Sequence, residues 1–280
     1  MKLIKSSLGA INSIIEGYDT ENICSIYAPS TTGKTLLLVQ EAYCLAKATK
    51  KKVLFLDSEG GIKRFLAKWG EIFINKYEAK ESDIVTELAR SPEKLLELHG
   101  VNIELAISDK GHKMSGVKVK EIEFEKIPIV KLIKQKKIGT VIYDSMTAPF
   151  EKFGTRTVNL AARSDVQGYL FTKMLEIMDR SGVIVLVSHH SSINPQKPFD
   201  IAKIKGGSGV WYHSKIIIYL ERFKGNRLAN YRKIHLVRFP NKASWSVKHF
   251  CEYTDDGIVD ISDEEMQNIL DAGKKKKESD

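Results

Sequence analysis

Residues 26–36 read IYAPSTTGKTL, and whether this stretch is a working phosphate loop decides which fold to expect. The pattern G-x-x-x-x-G-K-[ST] asks for glycine at its first position, where this chain has Ala28; Gly33, Lys34 and Thr35 close the pattern as required. An apolar run at 23–27 precedes it and a helical pattern at 34–48 follows. In such a loop successive backbone N–H groups curl around the β-phosphate of ATP at a helix N-terminus, where the helix dipole also favours negative charge. The cradle would run through Pro29, Ser30, Thr31, Thr32, Gly33, Lys34, Thr35 and Leu36. Lys34 would reach the β- and γ-phosphates, and the Thr35 hydroxyl would serve Mg²⁺. At the first position a negative φ makes alanine harmless, whereas a positive φ strains it by roughly 1 kcal/mol or more.

Outward from the loop, VLFLD (53–57), TVIYD (140–144) and VIVLVSH (183–189) are short, β-branched and nearly continuously apolar, as strands buried on both faces are. Helical patterns at 34–48, 62–77, 126–136 and 161–181 alternate with them, which predicts a mostly parallel α/β sheet flanked by helices. Leu170, Met174, Ile177 and Met178 recur at helical spacing and mark a core face. Beyond residue 213 the texture changes to KIIIYLER, YRKIHLVRF and SWSVKHF, read as antiparallel strands at the edge of the sheet. Residues 102–124 read as an inserted β-hairpin within a longer insertion, about 66–137. The expected organisation is one domain over 1–271, ending in a short helix at 263–271, with a basic flexible tail at 272–280.

Two strand ends converge on the same chemistry. Asp144, at the end of TVIYD, is the type of carboxylate that holds a Mg²⁺ water shell beside a phosphate loop. Glu59, just past VLFLD, falls where ligands sit in open α/β sheets, beyond the carboxyl ends of the strands. The residues alone leave its role open, and they favour Asp57 or Ser58 as the N-cap of the next helix.

Composition narrows the class without naming a partner. The net charge of +9 over 280 residues suits a polyanion, and 42% hydrophobic residues suffice for a sizeable core. Cys24, Cys44 and Cys251 lie far apart among apolar neighbours, as buried thiols do, with no metal-pair spacing. No apolar run reaches the roughly 18–20 residues of a membrane span, and the first residues carry no secretory pattern, so a cytoplasmic protein is expected.

The ordered set resembles the RecA family of ATPases, and within it archaeal RadA and its shorter paralogs of the RadB type. The likeness rests on SSLGAINSIIEGYDTENICSIYAPSTTGKT, DSEGG, YDSMTAPF, NLAARSDVQGYLFTKMLEIMDRSGVIVLVSHH, IKGGSGVWYHSKIIIYLER and RKIHLVRFPN with DDGIVD. It covers roughly residues 5–65 and 138–262. The resemblance implies a RecA-type P-loop core and makes Glu59 the catalytic carboxylate and Asp144 the magnesium carboxylate. It places His190 where the family has a γ-phosphate-sensing glutamine; a histidine there still donates hydrogen bonds and changes charge near neutrality. Arg238, or Lys242 after it, becomes the candidate cation offered to a neighbouring subunit's phosphate in a homo-oligomer. Arg163 matches a family arginine whose role is positional. Measured against that resemblance, the chain is expected to lack the helix-hairpin-helix domain that precedes the RadA core and a Phe-x-x-Ala polymerisation segment, so filament formation is not expected.

By position, the two DNA-lining loops of the family fall at 151–163 and 191–207. They would bind single-stranded DNA through Lys152 and Arg156 in the first and Lys197, Lys203 and Lys205 in the second, with Phe153 and Phe199 available for stacking. The implied function is a DNA-modulated ATPase acting in recombination and repair, alone or beside a RadA-type recombinase. Ala28 and the His-His pair keep open a non-hydrolysing DNA-binding regulator with a structural nucleotide site, and permissive strand ends keep open a KaiC- or DnaB-like ring ATPase.

Overall fold

Strand β1 (Ile23–Ala28) is buried at all six positions, as a strand covered on both faces must be. The computed structural model describes residues 3–107, 114–120, 122–151, 160–192, 202–205, 207–223, 225–240, 242–243 and 248–278. β1 leads through the loop into helix α2 (Lys34–Thr49), and β2 (Lys52–Asp57), α3 (Ile62–Tyr77) and β3 (Ile84–Leu88) follow. Next come α4 (Pro92–Leu98), the pair β4 (Asn102–Ile107) and β5 (Met114–Lys120), α5 (Pro128–Lys136), β6 (Ile138–Asp144) and α6 (Thr147–Glu151). The second half holds α7 (Leu160–Ser181), β7 (Ile184–Ser192), β8 (Lys203–Ile204), α8 (Gly207–His213), β9 (Ser214–Arg222), β10 (Tyr231–Arg238), β11 (Lys248–Thr254), β12 (Gly257–Ile261) and α9 (Asp263–Glu278). A short helix, α1 (Gly9–Ile15), precedes β1.

Among the described residues the main sheet has ten strands, in the order β12-β11-β10-β9-β1-β7-β6-β2-β3 with β8 attached to β7. β9, β1, β7, β6, β2 and β3 run parallel, and β10, β11 and β12 add antiparallel pairs at one edge. This is the RecA-type arrangement expected. β4 and β5 pair antiparallel in a separate two-stranded sheet.

Apolar side chains pack on both faces. On one, Leu37, Leu38, Tyr43 and Phe73 from α2 and α3 cover β1 and β9; on the other, Leu170, Met174, Ile177 and Met178 of α7 join Val130 and Ile133 of α5. The N-cap of α3 is Gly61, where Asp57 or Ser58 was expected; Asp57 instead braces the turn that leads into the helix, its carboxylate accepting from the backbone N–H of Glu59 (3.1 Å), Gly60 (2.7 Å) and Ile62 (3.1 Å).

Several elements differ from the sequence reading. β9 belongs to the parallel core, because its buried Ile216, Ile217 and Ile218 pair with β1; the antiparallel edge begins one strand later. β3, inside the segment read as an insertion, extends the main sheet. Helix α9 runs to Glu278, so the lysine run at 274–277 is helical where a flexible tail was expected. Lysine is a good helix former and its charge complements a helix C-terminus. Cys24 and Cys251 are buried, whereas Cys44 is half-buried. Among the described residues no helix is long and apolar enough to cross a membrane.

Candidate nucleotide site

Register brings the strand ends together. Ala28 lies opposite His190 on β7, and Asp57 lies opposite Asp144 on β6, so four adjacent parallel strands end at one crevice. Such a crevice is where open α/β sheets bind ligands. It has a volume of about 260 Å³ and is lined by Thr31, Lys34, Thr35, Glu59, Asp144 and His190, with Phe65 from α3 as an apolar wall.

The departure at Ala28 is absorbed without strain. It is fully buried in β1 and is not among the residues with positive φ. The left-handed positions fall further along, at Thr31 (φ 62°) and Gly33 (φ 100°). A Cβ on Gly33 would lie 2.6 Å from the ring of Tyr253, so glycine is required both by backbone conformation and by space. Gly33 caps α2 without a side-chain hydrogen bond, and the first turn of a helix leaves its amides without intrahelical partners. With no acid in that turn, the 16-residue helix presents those amides and its dipole to an anion. The donor set therefore fits a nucleotide phosphate.

Behind the loop, Arg232 of β10 donates from Nε to the Thr32 carbonyl at 2.8 Å and stacks on Tyr253 at 4.5 Å from the ring centroid. This brace escaped the sequence reading, because Arg232 and Thr32 are 200 residues apart and no local pattern links them.

Lys34 is buried, and its ammonium donates to the carbonyls of Ala28 (3.2 Å) and Pro29 (3.3 Å). Burial pulls its pKa below the usual lysine value, against the attraction of Asp144 and Glu59. Thr35 Oγ1 donates to Asp144 Oδ2 at 2.6 Å, and the Ser188 hydroxyl donates to Asp144 Oδ1. Burial raises the Asp144 pKa although both hydroxyls favour its ionised form. A hydroxyl and a desolvated carboxylate side by side beneath a phosphate cradle are a hard-oxygen pair that fits Mg²⁺.

Glu59 reaches the same crevice. Its Oε1 accepts from Ser145 Oγ at 3.0 Å and faces His190 Nε2 at 2.9 Å. The His190 contact holds the Glu59 pKa below the usual range, with burial opposing, and Glu59 in turn raises that of His190. His189, one residue earlier, points the other way: it is fully buried against Phe171 and meets Ser25 Oγ at 3.1 Å, and burial drops its pKa to about 3. The two histidines thus divide between core and cleft as strand alternation dictates.

The remaining candidates are distributed. Lys205 binds Glu151 beside the cleft, and Lys203 is exposed on β8. Arg238 lies against its own chain, donating to the carbonyls of Trp211 and Ser214 and resting over the Trp211 ring. Lys242 donates to the Ile14 carbonyl at 2.7 Å. Lys152, Phe153, Arg156, Lys197 and Phe199 lie outside the described residues.

The fold and the site define a P-loop α/β core of the RecA type. A sequence profile described as an AAA domain matches residues 1–196, and the chain belongs to that family. None of the curated proteins matches it. Among solved structures 532 chains match, so the architecture is a populous one. One of them, described as the RadB recombinase, superimposes with a TM-score of 0.62 at 17% identity, over 93% of this chain and 100% of that one.

Proposed function

We propose that this chain is an ATP-binding, Mg²⁺-dependent ATPase that binds single-stranded DNA and acts in recombination and repair as a RadA paralog. The observation that carries the reading is the convergence of Lys34, Thr35, Asp144 and Glu59 on one crevice at a helix N-terminus whose cap, Gly33, offers no side-chain hydrogen bond. In this reading the amides of residues 30–36 and Lys34 hold the phosphates of ATP, with Pro29 turning the chain into the loop, while Thr35 and Asp144 hold Mg²⁺. Bound there, the cation would neutralise phosphate charge during in-line displacement. Glu59 orients the attacking water and accepts its proton, and His190 lies within reach of the γ-phosphate side of the cleft. Lys203 and Lys205, with Lys152, Arg156 and Lys197, bind DNA phosphates without reading sequence. Arg238 completes the site of a neighbouring copy in a homo-oligomer. The AAA family and the likeness to a recombinase structure support the reading.

A second reading, a nucleotide-binding regulator that hydrolyses little or no ATP, is favoured by the double engagement of Glu59 by Ser145 and His190. Steady-state ATP turnover with and without single-stranded DNA separates the two. The ATPase reading expects wild-type turnover to exceed that of Lys34→Ala and Glu59→Gln by roughly 10²–10³-fold, the usual loss when a transition-state donor or base is removed. Equal rates for wild type and Lys34→Ala in both conditions would reject hydrolysis. A salt titration of DNA affinity reports the phosphate contacts: Lys203→Ala should flatten the slope by roughly one charge.

A further inference from the structure

Glu59 is the near end of a chain of charged groups that leads out of the cleft. His190 Nε2 faces Glu59 Oε1 at 2.9 Å, and His190 Nδ1 faces Glu151 Oε1 at 3.1 Å. Lys205 Nζ reaches the same Glu151 oxygen at 2.8 Å. The backbone locks the arrangement from both sides: His190 N–H donates to Thr147 Oγ1 at 3.1 Å, and Lys205 N–H donates to the His190 carbonyl at 2.9 Å.

Both imidazole nitrogens face carboxylate oxygens. A neutral ring has one N–H, so it could satisfy only one of them; the cation satisfies both. Glu59 and Glu151 are each held ionised by their basic partners, which agrees with an imidazolium between them. Counted in order, Glu59, His190, Glu151 and Lys205 then form a neutral row of alternating charge. His190 is the shared cation, and the two acids compete for it. The Glu59 side chain keeps 45% of its exposure, so its carboxylate is restrained by the pair and not entombed.

We infer that Glu151 and Lys205 are positioning residues that set how firmly His190 holds Glu59, so that an anion taking Lys205 releases the carboxylate for the reaction. The inference rests on the reading of Glu59 as the catalytic base. While Lys205 neutralises Glu151, the imidazolium is drawn mainly to Glu59 and restrains it. If a phosphate of single-stranded DNA draws Lys205 away, Glu151 regains its full negative charge and pulls His190 toward itself. The Lys205 side chain is 39% exposed, so a phosphate can reach it. Glu151 directly precedes residues 152–159, and Lys205 closes the stretch that contains Lys197 and Lys203; both therefore border the basic segments proposed to bind DNA.

The two residues have opposite predicted effects, which separates positioning from a merely structural role. Lys205→Ala should raise ATP turnover without DNA about fivefold, the rate equivalent of the ~1 kcal/mol that a half-exposed ion pair supplies. It should also abolish further stimulation by poly(dT). Glu151→Gln should lower basal turnover by a similar factor, because His190 then has one carboxylate left to hold. In both variants kcat changes while KM for ATP does not, and Lys205→Arg restores wild-type behaviour. Thermal melts confirm that each variant is folded. Lys205→Ala with unchanged basal turnover and lost stimulation would make Lys205 a plain DNA contact and overturn the inference; so would a fall in basal turnover in both variants. Failure of the underlying reading looks different: Glu59→Gln would then turn over ATP as fast as wild type.

Discussion

Among the described residues, two polar clefts at opposite ends of the parallel strands differ in kind. The one at the carboxyl ends, about 260 Å³, contains Lys34, Glu59, Asp144 and His190, each with named partners at hydrogen-bond distance. The one at the amino ends, about 420 Å³, is larger and far more basic, with Lys47, Lys50, Lys51, Lys52, Lys136 and Lys137 on its walls. Volume and positive charge would choose the second as the binding site; physical chemistry chooses the first. The basic cleft is where α2, α3 and α5 end, each closed by a residue in the left-handed region: Lys50, Glu78 and Lys137. Lysines there offset the negative ends of three helix dipoles, and the ion pair formed among the described residues of this cleft joins Lys47 to Glu78. At the other end a helix N-terminus meets buried, desolvated charge, which is costly to fold and is retained where chemistry uses it.

If that contrast holds, substitutions at the two ends should have inverse profiles. The largest effect is expected for Asp144→Asn: turnover should fall at least about 100-fold, while the melting temperature measured without Mg²⁺ stays level or rises, because a buried carboxylate is replaced by a neutral group of the same shape. A melting temperature that drops along with activity would make Asp144 a structural acid and remove the distinction.

Next in size is an acid sensitivity seated in neither cleft but in the core beneath β6. His99 is fully buried, with Nδ1–H donating to the Leu95 carbonyl and Nε2 accepting from Tyr143, both at 2.7 Å, and burial lowers its pKa to about 4. Its folded pKa lies below the unfolded value of roughly 6.5, so the unfolded chain binds a proton first. The associated stability is present above about pH 6.5 and is lost as pH falls toward about 4, on the order of 3 kcal/mol. Urea unfolding across this window should show that limb, and the double variant His99→Phe with Tyr143→Phe, which leaves no orphaned hydroxyl, should flatten it.

The smallest effect is expected at the basic end. Lys136→Gln with Lys137→Gln should cost roughly 0.3–1 kcal/mol per charge through the dipole of α5, visible as a small drop in melting temperature, with ATP turnover unchanged. A fall in turnover comparable to Asp144→Asn would mean that the two ends are not separate.

Most of the site was readable because its parts are local. The strand, glycine, lysine and threonine of 23–35 lie next to one another, and Asp144 and Glu59 each sit at the end of a strand whose apolar spelling is plain. Arg232 was missed for the opposite reason: its bond to the Thr32 carbonyl joins an edge strand to a loop across most of the chain. Glu151 was missed as well. The sequence reading made it the first residue of the loop at 151–163; the structure ends helix α6 on it, and it acquires meaning when α6 and the end of β7 bring it against His190.

Periodicity and short-range spacing specify which residues bury, which strand ends carry acids and where a phosphate loop lies, since these follow from backbone geometry over a few residues. They do not specify strand order or the pairing of β9 with β1, and it was the family resemblance, not periodicity, that chose His190 over His189 for the cleft. Register and packing set strand order and pairing, because each depends on contacts between segments that are distant in the chain, well over a hundred residues apart for the pairs β1–β7 and β1–β9. IYAPSTTGKTL shows both sides of this. Its alanine looked like a defect, and its place inside a fully buried strand, with the left-handed turns deferred to Thr31 and Gly33, leaves the loop unstrained at that position.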